Sequence, residues 1–205
     1  MDLSEPWAAV CPTLDGPVLA ALASTRRPLA AREVARLVRR GSWGGVRKVL
    51  VRLAEHGIVS VQEAGNVTLY SLNREHLAAP AVEQLMALRD ELVRRLAEEI
   101  ASWSVPVVHA SLFGSAARGD GDVTSDIDLF VVRPRAIDQD DATWRSQLDR
   151  LATEVVAWTG NHAGFSEVGE RDLAHVRTTN AGKSIHDEGI TLAGEHIDTI
   201  LGSPA

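Results

Sequence analysis

The chain has 205 residues, 45% of them apolar and 24% charged, which is the composition of an ordinary globular protein and excludes a disordered or fibrous one. That length allows one large domain or two small ones. No apolar run approaches the roughly 18 residues needed to cross a bilayer, and the start "MDLSEPWAAV" lacks the pattern of a secretion signal, so a cytoplasmic protein with no membrane partner is expected. The formal net charge of −7 divides into +3 over residues 1–78 and −10 over residues 79–205, which suggests two modules with different partners.

In the first module, "GPVLAALAS" (16–24) has Pro17 at a helix start and apolar residues at Val18, Leu19 and Leu22. "RRPLAAREVARLV" breaks at Pro28 and resumes with Leu29, Val34, Leu37 and Val38 at helical spacing. In "RRGSWGGVRKVLVRLAEHG", Ser42 is placed to cap a third helix, whose stripe is Trp43, Val46, Leu50 and Leu53 and whose end is Gly57. Two strand-like runs follow, "IVSVQEA" and "VTLYSLN", joined at Gly65-Asn66. Three short helices and a hairpin are the order of a winged helix-turn-helix, with the third helix as the recognition helix. If its apolar stripe faces the core, Arg47, Lys48 and Arg52 face outward, with Arg39 and Arg40 in the preceding turn. That cationic face suits phosphates and base edges of double-stranded DNA. The block from "REVARLV" to "TLYSLN" resembles the winged-helix domains of bacterial transcription regulators. The alternative is a protein-binding module with a solvated basic face.

"APAVEQLMALRDELVRRLAEEIASW" has no Gly, and its only Pro, Pro80, suits a helix start. Leu85, Leu88, Leu92, Leu96, Ile100 and Trp103 form one stripe along a continuous helix of about 35 Å. This helix either packs on the second module, ties the modules together, or pairs with its twin in a homodimer through residues 80–103.

In the second module, "VPVVHASLF" (105–113) reads as a buried strand running into Gly114-Ser115 and a short helical "AARG". Glycine allows close backbone approach, and free N–H groups at such a junction can hold phosphate. The strand "SDIDLFVV" (125–132) carries Asp126 and Asp128 on one side and Ile127, Leu129 and Val131 on the other. The two carboxylates are about 6–7 Å apart along the strand and can grip a divalent ion, Mg²⁺ by preference. The other reading is a hydrogen-bonded cluster at a strand edge. A calcium loop counted from Asp120 fails, because its sixth residue is Ser125 rather than Gly and its twelfth is Val131 rather than Glu.

"GSAARGDGDVTSDIDLFVV" resembles the signature of the minimal nucleotidyltransferase domain, in the polymerase-beta-like superfamily. It carries, in order, Gly114, Ser115, Arg118, Gly119, Ser125, Asp126 and Asp128. The resemblance implies an α/β fold with a mixed sheet and transfer of a nucleoside monophosphate from a nucleoside triphosphate, ATP by expectation, to a hydroxyl. It implies two Mg²⁺ ions on the paired aspartates and a nucleotide held by Gly114, Ser115, Arg118 and Ser125. It also implies a third carboxylate on a later strand, acting as metal ligand and base. Glu167 in "HAGFSEVGE" is the first candidate and Glu170 the second, although the family residue is usually Asp.

"TWRSQLDRLATEVVAWTGN" (143–161) is an amphipathic helix ending at Gly160, "ERDLAHV" a short helix, and "SIHDEGITLAGEHIDTIL" a turn, a strand and a closing helix. His109, His162, His175, His186 and His196 have no zinc-ligand spacing with the lone Cys11 and are expected to be surface or satisfied polar residues; Lys183 is a lesser phosphate candidate. The expected architecture is α+β in two domains. It comprises a winged helix-turn-helix over 1–78, a connecting helix over 79–104, and a nucleotidyltransferase domain over 105–205. Three functions compete: a Mg²⁺-dependent nucleotidyltransferase acting on a protein, RNA or small-molecule hydroxyl; a transcription regulator that senses nucleotide without catalysis; and a non-catalytic interaction module.

Overall fold

The computed structural model describes residues 1–176 and 179–201. The chain divides into two compact units, one of Glu5–Leu88 and one of Met1–Ser4 with Arg89–Ala205. None of its described helices is long and apolar enough to cross a membrane.

In the Glu5–Leu88 unit, a single 3₁₀ turn (Pro6–Ala9) precedes α1 (Asp15–Ala23). After Pro28 comes the two-residue strand β1 (Leu29–Ala30), and then α2 (Ala31–Val38), whose Glu33 carboxylate reaches back to accept from the Ala30 N–H at 2.8 Å. Arg39 closes α2 in the left-handed region at φ 55°. α3 (Trp43–Glu55) is capped by Ser42, whose hydroxyl accepts from the Gly45 N–H at 3.1 Å. The hairpin of β2 (Val59–Ala64) and β3 (Val67–Leu72) turns at Gly65, and β1 adds to β3, giving an antiparallel sheet in the order β1-β3-β2. Val18, Leu22, Leu29, Val34, Val46, Leu50, Ile58 and Leu72 make its core.

Two residues of the expected stripes leave that core. Trp43 is 51% exposed and Leu37 54% exposed. Val34 and Val38, four apart, take the inward side of α2 and leave Leu37 rotated away. Trp43 begins α3, and Val46, one turn on, is the first residue to reach the core.

The single helix expected over 79–104 is interrupted. α4 (Ala79–Met86) ends at Ala87, where φ −94° and ψ 9° leave helical geometry, and α5 (Leu88–Ala101) follows. The unit boundary falls beside this break. Leu92, Leu96, Ile100 and Trp103 are buried in the core of their own unit. Of the three roles expected for the stripe, its second half takes packing on the second module, and these four side chains are not free to meet a twin helix.

The Arg89–Ala205 unit is built on a four-stranded mixed sheet of β4 (His109–Phe113), β5 (Ile127–Arg133), β6 (Ala163–Gly169) and β7 (Ile190–Gly194). The order is β6-β5-β4-β7, with β5 and β6 parallel and the other pairs antiparallel. Between β4 and β5 lies α6 (Gly114–Arg118); the β5–β6 crossover is α7 (Ala142–Thr159), capped by Asp141 and closed by Gly160 at φ 76°. A 3₁₀ turn (Glu170–Asp172) and α8 (Leu173–Val176) follow β6. Then α9 (Asn180–Glu188) precedes β7, and α10 (Ile197–Leu201) follows it.

Alternation along the strands separates two faces. Ala110, Leu112, Ile127, Leu129 and Val131 pack with α5 and with Trp144, Leu148, Leu151 and Val155 of α7. Phe130 and Val132 pack on the other face with Val176, Ile185 and Ile197. His109, expected as a surface or satisfied histidine, is fully buried, with Nδ1 2.6 Å from the Glu195 carbonyl, and burial lowers its pKa.

Candidate functional site

At one end of the mixed sheet, β4 stops at Phe113, whose register partner is Asp128, two residues into β5. The chain then turns at Gly114 with φ +67°, a conformation that L side chains rarely adopt. A Cβ at 114 would lie 2.6 Å from Asp128 Oδ2, so the glycine is also required by close approach. On the other flank β6 places Gly164 in register with Asp128, and a Cβ there would lie 3.1 Å from Oδ1 and 3.8 Å from the Cβ of Asp126. The carboxylate of Asp128 is thus bracketed by two residues without side chains.

Asp126 is exposed and Asp128 half-buried. Burial first, and the neighbouring charge of Asp126 second, push the Asp128 carboxyl above the usual range, while Arg118 pulls the other way. A bound cation would relieve both causes of that shift. The loop leading to the pair is held by its own side chains. Asp122 Oδ1 accepts from the Thr124 N–H at 2.8 Å, the Thr124 hydroxyl at 2.8 Å and the Ser125 hydroxyl at 3.1 Å. These bonds, the Thr124 hydroxyl's first, hold the Asp122 carboxyl below its ordinary value. Asn161 donates to the Ser125 and Asp122 carbonyls at 2.8 and 3.3 Å. Ser125 was expected on the nucleotide, but its hydroxyl is engaged in shaping this loop.

Arg118, at the end of α6, donates to Asp120 at 3.1 Å and to Glu188 of α9 at 2.8 Å. Glu188 also accepts from the Ser184 hydroxyl, and that bond and the Arg118 bond lower its pKa. Arg89 donates to the carbonyls of Ala116 (3.1 Å) and Ala117, occupying carbonyls that α6 leaves open. Neither Glu188 nor Arg89 carries a local sequence signal for this place, because both come from segments remote in the chain.

Glu167 does not join the pair. Its register partner is Val131, so it shares the face of Ile127 and Leu129, opposite to that of Asp128. There its Oε1 accepts from Arg133 Nε at 2.9 Å and Trp144 Nε1 at 3.0 Å, and Oε2 from Arg145 at 3.3 Å. The second candidate, Glu170, lies beyond the far end of β6 and accepts from the Arg135 N–H at 3.0 Å. Both expectations of a third acid are corrected. Among the described residues no group of three or more His, Cys, Asp or Glu could hold a metal ion. The donor set at Asp126 and Asp128 still fits Mg²⁺, which takes one or two carboxylates and fills its shell with water and phosphate oxygens.

In the Glu5–Leu88 unit the five expected cationic residues are all exposed but not equally free. Arg40 pairs with Glu5 at 2.6 Å and Arg52 with Asp15. Arg47 lies over the Trp43 ring, 5.9 Å from its centroid. Among the described residues, Arg39, Arg47 and Lys48 have no ion pair. Arg32, Ala35, Arg36 and Trp43 line an open cavity of about 530 Å³ between α2 and α3, and the arginines of α2 were not foreseen.

Residues 93–172 match the family model described as "Nucleotidyltransferase domain". The matched span includes the Gly114-Ser115 turn, Asp126 and Asp128, and supports nucleotidyl transfer as the general activity of that unit. No curated protein matches the chain. A solved structure, human N-acetylserotonin methyltransferase in complex with SAM, aligns at 22% identity with a TM-score of 0.29. That alignment covers 48% of this chain, which spans 30% of the other, and at that score it carries no argument.

Proposed function

We propose that the Arg89–Ala205 unit binds a nucleoside triphosphate, ATP by preference, with Mg²⁺ at Asp126 and Asp128, and transfers a nucleoside monophosphate to a hydroxyl acceptor on a protein or RNA. The observation that carries this reading is Asp128 itself: a half-buried carboxylate beside a second aspartate, with glycines at 114 and 164 on its two flanks and its pKa raised by burial and by Asp126. Mg²⁺ bound there supplies charge neutralisation to the triphosphate. Gly114 lets phosphate oxygens approach the main chain, and Ser115 has a hydroxyl at the same turn. Arg118 meets the phosphates by exchanging its contact with Glu188 for one with the nucleotide.

A second reading is favoured by one specific feature. Gly164 stands where a side chain on β6 would face Asp128, and Glu167 is bound elsewhere. With no third acid at hand among the described residues, the acceptor's proton must leave to solvent or to a base on the acceptor. A protein that senses nucleotide without transferring it fits the same pair of aspartates.

The experiment is incubation with α-³²P-labelled ATP, GTP, CTP and UTP with and without Mg²⁺, comparing wild type with Asp126→Asn/Asp128→Asn, alongside calorimetric nucleotide binding. Mg²⁺-dependent and aspartate-dependent label on protein or RNA supports transfer. Binding without label supports the sensor. Neither binding nor label removes both readings.

For the Glu5–Leu88 unit we propose a winged helix that binds double-stranded DNA. The succession of α1, α2, α3 and a hairpin supports it, as does the exposed cluster of Arg39, Arg47 and Lys48 on and beside α3. Binding to duplex DNA that weakens steeply with salt, and is lost in Arg47→Ala/Lys48→Ala, is the expected result. Binding unaffected by that double substitution counts against it.

A further inference from the structure

β6 is an edge of the four-stranded sheet: β5 pairs with it on one side, and no described strand pairs with it on the other. Its ladder to β5 runs through seven consecutive residue pairs without a register shift. The Ile127 N–H bonds the carbonyl of His162, so the main-chain groups of residues 162, 164, 166 and 168 face β5. By alternation, the N–H and C=O groups of Ala163, Phe165, Glu167 and Gly169 point out of the sheet.

Such an edge is a template for another strand unless proline, charged side chains, a bulge or a covering helix or loop protects it. "AGFSEVG" has no proline and no lysine. Its one charge, Glu167, is bound by Arg133, Trp144 and Arg145, so it does not act as a free edge charge. The opposite edge strand is different. The pairing of β7 with β4 slips between Ala110 and Ser111, which breaks the flat ladder that a further strand would need.

We propose that β6 pairs antiparallel with β6 of a second copy of this chain, about a two-fold axis at Ser166. The occupant follows from self-complementarity. Ser166 is the middle residue of the strand and meets its own copy. Phe165 stands opposite the partner's Glu167, Gly164 opposite the partner's Val168, and Ala163 opposite the partner's Gly169. No like charges are directly opposed, and a small residue faces the bulkier Val168. The outward groups are in phase for about eight backbone hydrogen bonds, and the two-fold closes the assembly at two chains instead of propagating a fibre. A pairing of this length lies at the small end of protein interfaces, so the dissociation constant is on the order of micromolar.

The test is sedimentation equilibrium of the full chain across the micromolar range. The expected mass rises from one chain to two. Phe165→Pro removes an outward N–H that the sheet does not use, and is expected to weaken dimerisation by about tenfold or more. Because Phe165 also packs against the core, a second variant is independent of that substitution. Ser166 would form a non-hydrogen-bonded cross-strand pair with Cα atoms about 4.5 Å apart, within disulfide reach. In a Cys11→Ser background, Ser166→Cys is expected to yield a covalent dimer on mild oxidation. A single-chain mass throughout overturns the proposal. So does a dimer that fails to cross-link at position 166, or a complex in which β6 holds a different protein instead of a second copy.

Discussion

Gly114→Ala tests the site at its tightest point. A methyl group there meets two separate penalties. The φ of +67° costs an alanine roughly 1 kcal/mol relative to glycine. The added Cβ also lies 2.6 Å from Asp128 Oδ2, against an ordinary contact distance of about 3.5 Å, so the carboxylate must move. Forced displacement of a packed group costs about 1–2 kcal/mol more. The sum, about 2–3 kcal/mol, corresponds to a fall in Tm of roughly 8–12 °C for a unit of this size. The assay is calorimetric unfolding of wild type, Gly114→Ala, Asp128→Ala and the double variant. Removing the carboxylate leaves the methyl nothing to strike, so only the φ penalty should persist, and the coupling energy is expected at about 1–2 kcal/mol. With Mg²⁺ and a non-hydrolysable nucleoside triphosphate, the wild-type Tm should rise while that of Gly114→Ala should not. A Tm within about 2 °C of wild type, or a cycle additive to within about 0.5 kcal/mol, refutes the contact between Gly114 and Asp128 as the reason for this glycine.

Gly164→Ala places its Cβ 3.1 Å from Asp128 Oδ1 at an ordinary φ, so stability should change by less than about 1 kcal/mol while nucleotide affinity falls about tenfold by calorimetry. Asp128 has a folded pKa raised by burial and by Asp126, so its stabilising contribution is present at acid pH and is lost as pH rises through that value. Asp128→Asn should therefore unfold at a higher temperature than wild type at pH 7 without cation, with the advantage shrinking toward pH 3; an advantage independent of pH would contradict this. Glu167→Gln should cost about 1–3 kcal/mol in urea unfolding by weakening the bonds to Arg133, Trp144 and Arg145, yet leave nucleotide binding within about twofold. Trp43→Ala should change stability by less than about 1 kcal/mol, because the side chain is half in solvent, and should still reduce DNA affinity in gel shifts through lost contact area beside Arg47.

Local chemistry alone located much of the chain. Ser42 caps α3, Gly65 turns the hairpin and Gly160 closes α7, because caps and turns depend on residues within a few positions of one another. The alternation in "SDIDLFVV" likewise placed Ile127, Leu129 and Val131 in the core and turned Asp128 away from them. What spacing could not decide was which residues of distant segments meet. Glu167 is the fifth residue of its strand, and only its pairing with Val131 sends it to the face opposite Asp128. Gly164, silent in the sequence, matters because the same register sets it beside that carboxylate. The Leu85–Trp103 stripe left open whether the helix packs on the second module, ties the modules together or pairs with a twin. Its second half is covered by β4, β5 and α7, a choice among apolar partners that periodicity does not reveal. Sequence determines the faces of each element; the tertiary register determines which faces come together, and the third acid of this site was a question of register.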